Sequence, residues 1–335
     1  MKYFEGKTFL VTGATGLIGS NLVYRLMKMN PAKVFVTGRN EKKLVATFHQ
    51  FMGRDNFVAI QHDISNPIPI ELQVIDYIFH AAGPMEREIV MNRPVDVILP
   101  NIKGTINLLE FLRNQENLFG KKGRFVVFSS VTVYNHFGND DFDAVENDTT
   151  NAISLDSPTA CYAESKRMAE VIATSYAKQY GIDVVIARFS TVYGPTINIP
   201  ETAFYEFIKK SLAGEDIVVN SAVTPRRDNI YVVDAIEGLL CIALKGETGE
   251  VYNVSSGGEK GNYAAVDEIA KLVAKVASKE TKVICKTTDS QRKGGMTLNN
   301  TKLKSIGWSL HYSMKDGIAE TMKFYQNLFF INSEK

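Results

Sequence analysis

Residues 7–63 constrain the fold more than any other stretch of this chain. "KTFLVTG" (7–13) and "AKVFVTG" (32–38) are short apolar, β-branched runs, while "SNLVYRLMKM" (20–29) between them carries apolar residues at helical spacing. The intervening loop, "TGATGLIGS", places Gly13, Gly16 and Gly19 between the first strand and the first helix. Glycines there permit a tight turn and let the backbone and the helix N-terminus approach a pyrophosphate, so the strand, loop and helix together point to a bound nucleotide.

The alternation continues. "NFVAIQHD" (56–63), "VIDYIFHAAG" (74–83), "RFVVFSS" (124–130) and "DVVIARFS" (183–190) read as further strands, with a helical pattern over "PVDVILPNIKGTINLLEFLRNQ" (94–115). Strands separated by helices imply a doubly wound parallel sheet covered on both faces, with the binding site at the carboxyl ends of the strands. Beyond residue 195 the pattern loosens. Helices are expected at 202–214, 265–278 and 315–328, and strands near 216–220 and 281–286, while "GEVYNVSS" (249–256) reads as a strand rejoining the main sheet. The expected organisation is a dinucleotide domain of residues 1–190 with about 228–256, and a smaller, discontinuous α/β substrate domain of 191–227 and 257–335.

Composition removes several functional classes. The 335 residues are 45% hydrophobic and 22% charged with a formal net charge of +1, which gives no electrostatic footprint for nucleic acid or an anionic membrane. No apolar stretch reaches the length of a membrane span and no leader pattern precedes the first strand, so a cytoplasmic location is expected. Cys161, Cys241 and Cys285 are scattered and read as free thiols, and His49, His62, His80, His136 and His311 have no metal-ligand spacing, so no metal is expected.

At the end of the second strand an acidic residue usually meets the adenosine ribose of NAD. Here the chain reads "VTGRNEKKL": Gly38 takes that place and Arg39 follows. A cation without a carboxylate leans toward the 2′-phosphate of NADP, though NAD stays open and Arg39 could instead stack on adenine or face solvent. Asp63 is placed to approach the adenine edge or to cap the turn after its strand.

In "TACYAESKRM" (159–168), Tyr162 and Lys166 lie four residues apart on a helix and share one face. A phenol is a poor base at neutral pH, and a nearby cation favours the phenolate, so the pair suits proton exchange with a substrate hydroxyl.

Taken with the glycine loop, "HAAG" (80–83), "NIKGTINLLE" (101–110), "FSSVTVY" (128–134), "YAESK" (162–166) and "RFSTVYGP" (188–195) give a sequence that resembles the extended short-chain dehydrogenase/reductases, the NAD(P)-dependent nucleotide-sugar epimerases and dehydratases of Rossmann type. "RRDNIYVVDA" (226–235), "GEVYNVSSG" (249–257) and "KLKSIGW" (302–308) extend the resemblance over nearly the whole chain. It implies a catalytic set of Tyr162 as acid/base, Lys166 on the nicotinamide ribose and lowering the tyrosine pKa, and Ser130 on the same substrate oxygen. Ser129 would be structural or cofactor-side, and Asn101 would fix the helix behind the site. It further implies cofactor contacts from Gly13, Thr15, Gly16, Leu17, Ile18, Gly19, Arg39, Asp63, Ile64, Ala81, Ala82, Gly83, Lys166 and Val192. Substrate contacts would come from Thr191, Arg227 and Arg292, and the family implies a homodimer through the 94–115 and Tyr162 helices.

Two departures bear on the reaction. The family's 4,6-dehydratases follow the catalytic Ser/Thr with Asp-Glu, and its sugar-acid decarboxylases keep the glutamate, whereas this chain has Val131 and Thr132. Elimination would lose its acid/base pair. The leading expectation is therefore a sugar-nucleotide 4-epimerase acting by transient C4 oxidation. An NADPH-dependent 4-ketoreductase, a dehydratase or decarboxylase, and a non-catalytic dinucleotide-binding regulator are the alternatives. Thr191 stands where the family usually has an asparagine facing the substrate diphosphate.

Overall fold

The computed structural model describes residues 2–69, 73–135, 140–148, 153–220, 224–286 and 294–333. Its amino-terminal half runs β1 (Thr8–Thr12), α1 (Leu17–Met27), β2 (Lys33–Gly38), α2 (Glu41–Phe48), β3 (Phe57–Gln61), β4 (Tyr77–His80), α3 (Arg87–Asn92), α4 (Val95–Phe119) and β5 (Arg124–Ser130). It continues with β6 (Phe142–Ala144), α5 (Ala160–Tyr180), β7 (Asp183–Phe189) and β8 (Thr191–Tyr193). The remainder is α6 (Ala203–Ala213), β9 (Ile217–Val219), β10 (Arg227–Tyr231), α7 (Val232–Lys245), β11 (Val251–Val254), β12 (Tyr263–Ala264), α8 (Val266–Val276), β13 (Val283–Cys285), β14 (Met296–Leu298), α9 (Thr301–Ser305) and α10 (Met314–Ser333).

Seven strands form one sheet in the order β11-β7-β5-β4-β1-β2-β3, and every neighbouring pair is parallel. A parallel sheet is covered on both faces, which explains why β1, β5 and β7 are apolar runs rather than alternating ones. On one face Leu10, Ile78, Phe125 and Ile186 pack with Leu108 and Leu112 of α4 and Ala169 and Ala173 of α5. On the other, Val11, Phe79 and Val126 pack with Leu22 and Leu26 of α1 and Leu239 and Leu240 of α7. The expected strand at 249–256 does join this sheet, as β11 beside β7.

The strand order reverses between β1 and β4, opening a crevice at the carboxyl ends where ligands bind in such sheets. A second sheet stands beyond that edge in the order β12-β10-β14-β6, with β8 paired to β10. Its strand β6 belongs to the segment between β5 and α5, so the stretch leading out of Ser130 is tied to the carboxyl-terminal part of the chain. Among the described residues no helix is long and apolar enough to cross a membrane.

Candidate active site

Ser130 ends β5 in extended conformation, with its Oγ accepting from Thr132 N at 3.2 Å. Tyr162 lies in the first turn of α5 and Lys166 one turn further on, and all three side chains are buried. Lys166 Nζ donates to the Phe128 carbonyl at 2.7 Å and stands 5.9 Å from the centre of the Tyr162 ring. Burial pushes the Tyr162 phenol up to about 12, with the Ser130 hydroxyl pulling the other way. The same burial pushes Lys166 down to about 8, opposed by the Glu170 carboxylate. The expected lowering of the tyrosine is therefore not found: desolvation penalises the phenolate more than its neighbours favour it. At rest Tyr162 carries its proton.

The helix holding this pair is keyed to α4 by Asn101, whose Nδ2 donates to Ser165 Oγ of α5 and to Val97 O of its own helix, both at 3.0 Å. Gly83 has to be glycine, because a Cβ there would lie 2.8 Å from Asn101 Oδ1 and 3.3 Å from Lys166 Nζ. The 81–83 loop thus passes directly over the lysine.

The glycine loop divides by role. Gly13 has a φ of +62°, and a Cβ on it would meet the Ala81 and Ala82 backbone at 2.7 Å; one on Gly19 would meet Gly13 O at 2.5 Å. These two are packing glycines. Gly16 is different: it caps α1 with no side-chain bond, and a Cβ there would find only Gly13 O, at 3.5 Å. The first turn of α1, with Leu17 and Ile18, has no acidic residue. Open space over Gly16 and uncapped N–H groups at a helix N-terminus fit a pyrophosphate. Asn198 Nδ2 steadies this loop by donating to Thr15 O at 3.0 Å, a contact that no local pattern signals.

The remaining candidates are distributed around the crevice. Arg39 is exposed beyond β2, its carbonyl accepts from Gln61 Nε2, and its guanidinium makes no ion pair among the described residues. Asn40 beside it caps α2 by accepting from Lys43 N. Asp63 does cap its turn, accepting from Ser65 N at 2.9 Å, and Ile64 is buried beneath α4. Ala82 N donates to Thr12 Oγ1, which joins the 81–83 loop to the end of β1. His80 is buried, its Nδ1 is 2.8 Å from Thr12 Oγ1, and burial together with the nearby Lys166 cation pushes its pKa down to about 3, so it is a neutral structural ring.

On the substrate side, Thr191 and Val192 lie on β8 opposite Asn229 and Ile230 of β10. The adjacent Arg226 and Arg227 behave differently. Arg226 is engaged by Glu268, whereas Arg227 is exposed and pairs with no carboxylate among the described residues, as an anion-binding arginine should be. Arg292 and His136 lie outside the described residues. Among the described residues there is no group of three or more His, Cys, Asp or Glu able to hold a metal ion.

The sequence reading missed Glu170. It is buried on the same face of α5, one turn past Lys166, and is bound by Ser129, Arg167 and Arg188. Ser129 is thereby a structural hydroxyl. The signal was present in "YAESKRMAE", where a glutamate continues the four-residue spacing of Tyr162 and Lys166.

Residues 9–255 match the model of the NAD dependent epimerase/dehydratase family. The chain is 28% identical over 329 residues to UDP-glucuronic acid decarboxylase 6 of Arabidopsis thaliana, covering 95% of this chain and 88% of that protein. Among solved structures, UDP-glucose 4-epimerase of Thermotoga maritima with UDP-glucose superposes with a TM-score of 0.79 at 24% identity, covering 96% of this chain and 99% of the other. The dTDP-glucose 4,6-dehydratase of Bacillus anthracis in complex with NAD gives a TM-score of 0.76 at 22% identity, covering 96% and 97%. At those identities the two structures establish the shared fold.

The two kinds of glycine separate in a stability and binding experiment. Gly19→Ala should cost folding stability by about 2 kcal/mol or more, because the new Cβ meets backbone. Gly16→Ala should leave urea unfolding within about 1 kcal/mol of wild type while weakening dinucleotide binding by at least roughly tenfold. Equal losses of stability in the two variants would contradict the division.

Proposed function

The chain belongs to the NAD dependent epimerase/dehydratase family, and we propose that it is an NAD(P)-dependent enzyme acting on a nucleotide-diphosphate sugar, foremost a 4-epimerase. The observation that carries this reading is the buried Ser130, Tyr162 and Lys166 cluster, followed by Val131 and Thr132 where elimination would need carboxyl groups. When bound, the nicotinamide supplies the hydride acceptor and donor. The chain's own residues handle the proton and the pose. Tyr162 would take the C4 hydroxyl proton as its phenolate and return it when the keto-sugar is reduced, with Ser130 on the same oxygen; burial favours the neutral phenol, so the phenolate depends on positive charge brought to the site. Lys166 would meet the nicotinamide ribose and bring positive charge to the phenol.

The cradle described above fits the dinucleotide: Thr15, Gly16, Leu17 and Ile18 at the pyrophosphate with Gly13 and Gly19 packing the loop that carries them, Ala81, Ala82, Gly83 and Val192 toward the nicotinamide, and Asp63 and Ile64 toward the adenine. The unpaired Arg39 supports a preference for NADP. Thr191 and Arg227 are assigned to the substrate diphosphate, with Arg292 as the second arginine. The sugar would lie between a dinucleotide domain of residues 1–190 with about 228–256 and the rest of the chain.

Two observations favour other reactions in the same site. Similarity to a UDP-glucuronic acid decarboxylase along nearly the full length favours decarboxylation, and Arg39 favours net reduction of a keto-sugar by NADPH. A homodimer through α4 and α5 is supported by exposed apolar side chains on those helices, Val95, Met168 and Val171. The three free thiols support a cytoplasmic location.

Product analysis by NMR after incubation with UDP-glucose, UDP-galactose, dTDP-glucose and UDP-glucuronic acid distinguishes these readings. Interconversion of 4-epimers without net change in added dinucleotide supports the epimerase; loss of carbon dioxide or water, or consumption of NADPH, replaces it with the corresponding alternative. In each case Tyr162→Phe should reduce turnover by about 100-fold or more while dinucleotide affinity stays within a few-fold. Unchanged turnover would remove the tyrosine from the chemistry. Arg39→Ala should weaken NADPH about tenfold and leave NADH unaffected, and an equal effect on both would end the NADP preference. By light scattering the wild type should have twice the chain mass and Val171→Glu the single mass; a monomeric wild type refutes the dimer.

A further inference from the structure

Tyr162, Lys166 and Glu170 follow one another at four-residue intervals, so α5 presents all three along one face. Glu170 is 3% exposed, and a carboxylate so deeply buried requires partners. Arg188 of β7 supplies a two-pronged pair, Nε to Oε1 and Nη2 to Oε2, each at 2.8 Å. Ser129 of β5 donates to Oε1 at 2.5 Å, and Arg167 donates to Oε2 at 3.0 Å. Arg188 is itself seated over the Tyr134 ring at 4.7 Å and donates to the Glu146 carbonyl. One carboxylate thus joins α5 to both strands that end at the site, β5 immediately before Ser130 and β7 just before Thr191.

We propose that Glu170 is a positioning residue: its clamp on β5 and β7 fixes how α5 sits on the sheet and sets a carboxylate one helical turn behind Lys166, where the dinucleotide binds. This rests on the reading that Lys166 meets the nicotinamide ribose. Among the described residues around Lys166, Glu170 is the group that brings negative charge to it. His80 on β4 is a neutral ring, Tyr162 is a neutral phenol, and Ser130, the Phe128 carbonyl and Asn101 carry no charge. Arg188 and Arg167 are turned to Glu170 itself. Burial drives Lys166 down to about 8, and Glu170 is the charge that opposes it. Stability alone does not call for such a pair, since apolar residues of similar size commonly replace a buried ion pair without loss.

The sign of the test follows. With burial pushing Lys166 down to about 8, dinucleotide binding is expected to be strongest below that pH, where the lysine is an ammonium, and to weaken above it. Removing the Glu170 charge leaves burial unopposed and moves that weakening to lower pH. NADH affinity is measured by fluorescence titration from pH 6 to 10 on the wild type, Glu170→Gln and the double variant Glu170→Gln/Arg188→Met, which leaves no unpaired buried arginine. The alkaline fall should begin about half a pH unit or more earlier in both variants, and earliest in Glu170→Gln, where Arg188 is left uncompensated. A fall at the wild-type pH in the double variant would reduce Glu170 to a structural residue and overturn the proposal.

If neither variant folds, Ser129→Ala decides, because it keeps the ion pair but releases Glu170 from β5: a threefold or greater weakening of NADH at pH 7, measured at a temperature where the variant is fully folded, is expected, and wild-type affinity overturns the proposal. A wild type that binds neither NADH nor NADPH would instead refute the dinucleotide reading, before any variant is compared.

Discussion

The desolvation of Lys166 is the interaction on which the rest of the site depends. An ammonium under a helix, away from water, persists only where the surrounding chain offers acceptors and negative charge. The Phe128 carbonyl supplies the first and Glu170 the second, and each requirement reaches outward. To present that carbonyl, β5 must end at the register that also delivers Ser130. To present Glu170, α5 must lie flat on the sheet, which the small residues Ala169 and Ala173 allow. To let the 81–83 loop pass, position 83 must lack a side chain, and Asn101 must lock α4 to α5 beside it.

The second sheet extends the same logic to the substrate side. The segment leaving Ser130 passes through Tyr134, whose hydroxyl donates to Asn253 Oδ1 at 2.6 Å, and then forms β6 against β14. Asn253 in turn donates to Ala144 O and Asn299 O, so β11, β6 and the chain after β14 meet at one amide. Arg227 lies on β10 in the same sheet, where its backbone register to Met296 ties its position to that junction. Ser130 and Arg227 are therefore parts of one hydrogen-bonded assembly.

Much of this was legible in the sequence because it is local. Strand, glycine loop and helix follow one another within residues 8–27, and the spacing of Tyr162 to Lys166 is a property of one helix. The parallel sheet and the return of residues 251–254 to it are expected from the alternation of patterns, whereas the order of the strands is not. What escaped is non-local. The pairing of Glu170 with Arg188 joins a helix to a strand, and β6 is three residues long, too short for any periodicity to register. Asn198 reaches Thr15 across 183 positions of sequence. The pKa of Tyr162 was misjudged for a related reason: spacing reveals the neighbouring cation but not the depth of burial, and burial decides the direction.

That direction says something about how such a site works. Burial disfavours the phenolate and the ammonium alike, raising one pKa to about 12 and lowering the other to about 8, so of the two the lysine is the more acidic. Left to themselves, the pair would relax toward neutral phenol and neutral amine as pH rises, and neither is the form that the proposed hydride transfer calls for. A fixed negative charge on the far side of the lysine works against this by holding the cation without touching the phenol. Placing that charge a helical turn beyond Lys166, bound to two strands, would separate the group proposed to set the electrostatics from the residues proposed to meet substrate. The reacting face then stays free of a carboxylate, consistent with Val131 and Thr132 beside Ser130, while the charge that the lysine needs is supplied from behind.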